Sequence, residues 1–257
     1  MIIKEIKCKS ALSKSNLPGL DYSLNPYRGC QHNCAYCYVP NVLRIDRTEW
    51  GKFVYAKSNI PNVLSDEIRK KKPGIVGIST VTDPYQPVEK KYKLTRYCLE
   101  QLLKYDFPLS IQTKSDLILR DQDIISKFSK VELMMSIGTL NDQEREKLEP
   151  YSSSIQNRLN VLKKYSDIGV DTSVFFGPIY PTIKKSDILT IVDTFKISGV
   201  KEIMIDKFNL KPGIKENISK FYPSIRNLIE NDSYYKQLSQ EIIKVCKEKN
   251  VKAVYAF

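Results

Sequence analysis

Short β-type runs alternate with longer amphipathic helical patterns along most of this chain, and no other feature limits the fold as much. The clearest runs are Gly74–Ser79, Pro108–Thr113, Val131–Ser136, Val170–Phe176 and Val200–Ile205, with an earlier one near Tyr22–Tyr27. Helical patterns cover Leu64–Lys71, Val88–Tyr105, Asp121–Phe128, Ile155–Ile168 and Ser186–Ser198. Asp121 puts a carboxylate at one helix start, and Ser186 is read as a capping serine at another. A strand, a crossover helix and a second strand run the two strands in the same direction, with right-handed connections. The expected fold is therefore α/β, a partial (β/α)6 TIM-like barrel of parallel strands with N- and C-terminal extensions. Residues 1–21 form the N-terminal extension, 22–206 the core and 207–257 a C-terminal helical extension. The last part holds a helix near Tyr234–Lys249 and a β-like Val251–Tyr255, read as capping the barrel mouth or holding substrate.

The 257 residues are 42% hydrophobic and 10% aromatic, enough for a sizeable core and against wholesale disorder. The longest apolar run, Gly169–Tyr180, is too short and broken to span a bilayer. Met1–Cys8 carries charges where a secretory signal needs an apolar block, so a soluble, cytoplasmic protein with no membrane partner is expected. The net charge of +12 suits a polyanion such as nucleic acid, or a lysine-rich surface made for solubility. Its basic residues are spread out, with only a short run at Arg69–Lys72.

Three of the six cysteines, Cys30, Cys34 and Cys37, crowd into one loop with spacings of three and two intervening residues. Soft thiolates at this spacing suit an iron–sulfur cluster or zinc. Three thiolates on a 4Fe–4S cube leave one iron open to a cofactor or substrate. Structural zinc needs four ligands, and the fourth here would be His32, the chain's one histidine. A ferredoxin loop would need a fourth cysteine. Cys8, Cys98 and Cys246 lie far apart and read as buried free thiols.

The loop Asn25-Pro-Tyr-Arg-Gly-Cys30-Gln-His-Asn-Cys34-Ala-Tyr-Cys37-Tyr38 resembles the signature of the radical S-adenosylmethionine (SAM) superfamily, in the branch related to spore photoproduct lyase. The resemblance continues through Thr80–Glu89, Leu94-Thr-Arg96, Thr113-Lys-Ser115, Arg120-Asp121, Leu148-Glu-Pro150 and Gly177-Pro-Ile179. It implies that Cys30, Cys34 and Cys37 bind a 4Fe–4S cluster and that SAM chelates the open iron. Reductive cleavage of SAM would then give a 5′-deoxyadenosyl radical that takes a hydrogen atom from substrate. It also implies that Tyr36 contacts the adenine end of SAM and that Tyr38 relays a radical, with packing around the cluster as the other reading of both. Most members carry a Gly-Gly-Glu element after the second strand. This chain has Ser79, Thr80, Thr82 and Asp83 there instead, resembling the Thr-Ser-Asp element of the branch, and these are its candidate cofactor contacts. Asp83 either meets SAM or caps the turn before Pro84. Lys114 and Ser136 are implied at the SAM carboxylate, with Arg158 as a further candidate.

Thr80 stands where spore photoproduct lyase has a hydrogen-donating cysteine, so repair of the spore thymine dimer is not expected. Glu89 and Arg96 are read as lining the site or pairing on a helix surface, and Trp50 as a core residue or a base-stacking one. The resemblance further implies an electron donor such as ferredoxin or flavodoxin, and a nucleic-acid or peptide substrate. The competing function is a non-catalytic iron–sulfur or zinc module for interaction or electron transfer.

Overall fold

A computed structural model describes residues 1–225, 227 and 229–256. Eleven strands occur among the described residues: β1 (Ile2–Ile6), β2 (Leu12–Lys14), β3 (Tyr22–Leu24), β4 (Tyr27–Arg28), β5 (Phe53–Lys57), β6 (Val76–Ile78), β7 (Leu109–Thr113), β8 (Val131–Ser136), β9 (Asp171–Phe176), β10 (Glu202–Ile205) and β11 (Lys252–Tyr255). Eight of them make a mixed sheet in the order β11-β10-β9-β8-β7-β6-β3-β2, so the α/β class holds. The chain divides into two compact units, one of residues 1–32 and 48–134, the other of 33–47 and 135–257.

In the first unit β3, β6 and β7 pair in parallel, while β2 adds to β3 in antiparallel fashion. A second sheet, β1-β5-β4, was not anticipated. Its β1 (Ile2–Ile6) is mostly exposed and charged, so the alternation that marks a half-buried strand is missing there. The run expected over Tyr22–Tyr27 breaks into β3 and β4 at Asn25-Pro26. Pro26 has no N–H to offer a ladder, and Asn25 Oδ1 accepts the N–H groups of Thr80 and Val81 at 3.0 Å each.

The helix expected over Val88–Tyr105 is two helices, Glu89–Tyr92 and Leu94–Leu103. Lys93 between them is left-handed, with φ 52°. The Glu89 carboxylate turns back to accept the N–H of Thr95 at 3.1 Å, which caps the second helix. Asp121–Phe128 is likewise shorter, a 3-10 turn over Asp116–Asp121 followed by a helix at Gln122–Ile125.

The second unit carries the end of β8, then β9, β10 and β11, with parallel pairing from β9 to β11. Val251–Tyr255, expected to cap the barrel or hold substrate, is an edge strand on β10 instead. Its helices Ile155–Asp167 and Ile188–Ile197 bury one face each: Ile155, Val161, Leu162 and Tyr165 in one, Ile188, Ile191, Val192 and Phe195 in the other. Ser186 does not cap the latter. A 3-10 turn, Lys185–Asp187, precedes it, and Asp187 Oδ2 accepts the Lys184 N–H at 2.8 Å. Helix Asp232–Glu248 completes the unit. Positions 226, 228 and 257 of the expected C-terminal extension lie outside the described residues. No described helix is long and apolar enough to cross a membrane.

Candidate functional site

The cysteine loop starts in the first unit and ends in the second. Its first part, Gly29–His32, follows β4. Gly29 has φ 92°, and a Cβ there would lie 2.4 Å from the Phe53 carbonyl, so only glycine fits. The Gly29 carbonyl accepts the Thr82 hydroxyl at 2.6 Å and the Gln86 amide at 3.3 Å. Gln86 Oε1 in turn accepts the Gln31 N–H at 2.9 Å, and the Gln31 side chain accepts the Val88 N–H. Cys30 is buried within this net.

Asp83 is its hub. One carboxylate oxygen accepts the Thr113 hydroxyl at 2.7 Å and the Tyr85 N–H at 2.9 Å. The other accepts the Lys114 N–H at 2.9 Å and lies 3.2 Å from His32 Nε2. Burial opposes ionisation of Asp83, but the His32 ring and these donors outweigh it and hold the carboxyl at about 2. Ser79 donates to the Leu24 carbonyl at 3.0 Å, and Thr80 Oγ1 accepts the Asn25 amide at 3.3 Å. The candidate contacts Ser79, Thr80, Thr82 and Asp83 thus all make bonds within the first unit, with Lys114 beside them at the end of β7.

Arg96 pairs on its helix surface with Glu100 at 3.6 Å, as one reading had it, whereas Glu89 does not lie on a surface. Glu89 is fully buried, accepting the Tyr27 hydroxyl and pairing with Arg120 at 2.6 Å. Arg96 pairs with Asp121 at 3.1 Å and Asp123 at 2.9 Å. The strings Leu94-Thr-Arg96 and Arg120-Asp121 therefore form the scaffold of this unit. Trp50 is a core residue, 4% exposed.

The rest of the loop belongs to the second unit. Asn33 turns the chain at φ 49°. The Ala35 N–H donates to the Leu148 carbonyl at 2.8 Å, and the Ala35 carbonyl accepts the Asn217 amide at 2.8 Å. Arg47 donates to the Cys37 carbonyl at 2.8 Å. Cys34 is buried and Cys37 half-buried. Tyr36 sits edge-on to Tyr180 and Phe208, with centroids 6.4 and 5.9 Å away, and its hydroxyl donates to Glu149. Burial first, then Glu149 and Cys34, push this phenol well above its ordinary range, so it stays a donor at neutral pH. Tyr38 precedes the short helix Val39–Leu43 and is 43% exposed.

Glu149 is gripped by Arg158, which is fully buried. The guanidinium donates to Glu149 at 2.5 Å, to the Ser136 carbonyl at 2.7 Å, to the Ser153 carbonyl at 2.9 Å and to the Ser152 hydroxyl. Burial alone would lower its pKa, but Glu149 reverses the direction. Arg158 therefore spends its donors inside the protein, and Ser136, at the end of β8, is buried beside it. Sequence reasoning passed over Glu149 except as part of the Leu148-Glu-Pro150 string.

It also missed Asp206, just past β10. The Asp206 N–H donates to the Phe176 carbonyl at 3.1 Å, and its carbonyl accepts the Ile179 N–H at 3.0 Å. Burial raises its carboxyl to about 6, and the Lys207 N–H and charge only partly offset it. A Cβ on Gly177 would come within 2.8 Å of the Asp206 Cβ, so the glycine leaves room for this aspartate. Cys98 and Cys246 are buried as expected, whereas Cys8 is only half-buried.

The His32 contact bears on the metal question. The imidazole that would close a four-ligand zinc site faces Asp83. Three soft thiols in one loop have the donor chemistry of a cluster with one open iron, although among the described residues no three His, Cys, Asp or Glu side chains are grouped as around a bound metal ion.

Fold and loop together define a parallel α/β protein carrying a three-thiol loop. The chain belongs to the radical SAM superfamily, whose family model matches residues 24–195. It is 32% identical to an uncharacterized protein of Methanocaldococcus jannaschii, over 97% of this chain and 95% of that one. It is 25% identical to a radical SAM Nalpha-GlyT isomerase of Pseudomonas phage M6, over 63% of this chain and 34% of that protein. Its fold resembles spore photoproduct lyase with bound AdoMet and dinucleoside spore photoproduct, at a TM-score of 0.76 and 14% identity. That match spans all of this chain and 82% of the other.

Proposed function

We propose that the chain binds a 4Fe–4S cluster through Cys30, Cys34 and Cys37 and SAM through the open iron, as a radical enzyme acting on a nucleic-acid substrate. When bound, cluster and SAM supply one-electron cleavage of the sulfonium and hydrogen-atom abstraction from substrate. Membership of the superfamily supports an enzyme. The observation that carries the finer reading is His32 facing Asp83 at 3.2 Å, which leaves three thiolates as the donor set.

The protein's own residues hold and orient. Thr82 and Gln86 fix the backbone that presents Cys30, and Asp83 holds the His32 ring beside it. The Ala35, Tyr36 and Arg47 contacts fix Cys34 and Cys37. Tyr36 offers a ring to the adenine, Lys114 and Ser136 a cation and a hydroxyl to the SAM carboxylate, and the Ser79–Asp83 segment is assigned the remaining cofactor contacts. Tyr38 is the assigned radical relay. Arg158 acts through Glu149 and Ser136 and does not itself meet SAM. A nucleic-acid substrate is favoured over a peptide by the net charge of +12. The electron donor is assigned as a ferredoxin or flavodoxin and the compartment as the cytoplasm.

Anaerobic reconstitution with iron and sulfide, followed by dithionite and SAM, tests this reading. Roughly four irons and four sulfides per chain are expected, with release of 5′-deoxyadenosine. Cys30→Ala should abolish that release. An equal yield from Cys30→Ala, or no cluster uptake by the native chain, refutes the proposal.

A further inference from the structure

The proposed site leaves one feature unexplained: a fully buried arginine whose donors are spent inside the protein. A buried ion pair gains little stability over well-packed apolar residues of similar volume, because desolvation cancels the attraction. What such a pair does provide is direction, since each hydrogen bond fixes a partner in angle as well as distance.

We propose that the Glu149–Arg158 pair is the positioning element of the SAM site in the second unit, fixing Tyr36 and Ser136 together. This rests on the SAM-binding reading given above. Arg158 Nη2 donates to Glu149 at 2.5 Å, and Glu149 accepts the Tyr36 hydroxyl. Arg158 Nη1 donates to the Ser136 carbonyl at 2.7 Å, so the same guanidinium fixes the end of β8. The Leu148 carbonyl, one residue before Glu149, accepts the Ala35 N–H at 2.8 Å, one residue before Tyr36. The segment around Glu149 thus grips the loop by backbone and by side chain. The Tyr36 ring is held at a third point by the edges of Tyr180 and Phe208. The two assigned contacts to SAM, the ring and the residue of the Ser136 hydroxyl, are therefore set by one pair.

The test uses the anaerobically reconstituted chain and radiolabelled SAM in equilibrium dialysis. Tyr36→Phe keeps the ring and the ion pair and removes the hydroxyl that donates to Glu149. It should keep the native iron and sulfide content and weaken SAM binding about five- to tenfold. Glu149→Gln should weaken it by at least as much, and the double variant should bind no worse than Glu149→Gln alone. In the unloaded protein labelled with 13Cζ-tyrosine, the resonance that Tyr36→Phe removes should shift in Glu149→Gln. If Glu149→Gln does not fold, Tyr36→Phe and this resonance in Glu149→Asp decide. Native SAM affinity in Tyr36→Phe, or losses that add in the double variant, would overturn the positioning role. A native chain that takes up no cluster, with the tyrosine shift present, would sink the SAM reading and leave the Glu149–Tyr36 bond standing as structure alone.

Discussion

In the first unit the cysteine loop is gripped by Thr82 and Gln86, with Asp83 facing its His32, whereas in the second it hangs from an ion pair sealed from water. Asp83 accepts one hydroxyl and two backbone N–H groups and faces one imidazole, and of these partners Lys114 is half-buried. Arg158 and Glu149 are 0% and 1% exposed, and each stands to lose heavily if the other is removed. The Asp83 carboxylate keeps its other donors when one is lost. A dry ion pair loses more at once, because the surviving ion is left with neutral partners alone. The Gly29–His32 end should therefore be tunable by pH, and the Ala35–Cys37 end brittle to mutation.

The largest expected effect falls on the second unit. Arg158→Ala removes the cation paired with Glu149 and one donor to the Ser136 carbonyl, and it should cost about 3–5 kcal/mol in urea unfolding. A loss no greater than that of Asp83→Asn would break the contrast. Asp83→Asn comes next, with a cost of about 2 kcal/mol at neutral pH. Its sign follows from a carboxyl at about 2, below the ordinary 3.8. The ionised form is favoured in the folded state, so its stabilisation is present above about pH 4 and disappears as pH falls toward about 2. Thermal melts across that range should show the decline in the native chain and lack this part of it in Asp83→Asn.

The smallest effect has the opposite sign. Asp206 is raised from 3.8 to about 6, so the folded state favours its proton and stability falls as pH rises through that window. Asp206→Asn should leave stability unchanged near pH 4 and raise it by about 1 kcal/mol near pH 8, after discounting for partial exposure. A melting temperature that rises equally at both pH values would show that the carboxyl is not the cause.

Much of this was legible in the residues themselves. β7, β8, β9 and β10 stand within two residues of the runs read from local pattern, because buried parallel strands are near-continuous apolar stretches. The cysteine spacing was equally plain, since ligands in one loop carry their geometry in their separation. β1 (Ile2–Ile6) was not legible, because its pairing with β5 (Phe53–Lys57) follows a partner fifty residues away and not a pattern of its own. The break at Lys93 was hidden for a similar reason. Glu89 caps the second helix from inside the run, and helical periodicity continues across the gap.

The sequence by itself determined the α/β alternation, the three-thiol loop and the superfamily, since each is written in local order and spacing. Only the tertiary structure decided that His32 turns to Asp83, 51 residues on, and that Tyr36 meets Glu149, 113 residues on. A strand or a ligand loop is specified by its neighbours in the chain. The partner of a buried charge is specified by which distant groups the fold shuts away from water with it.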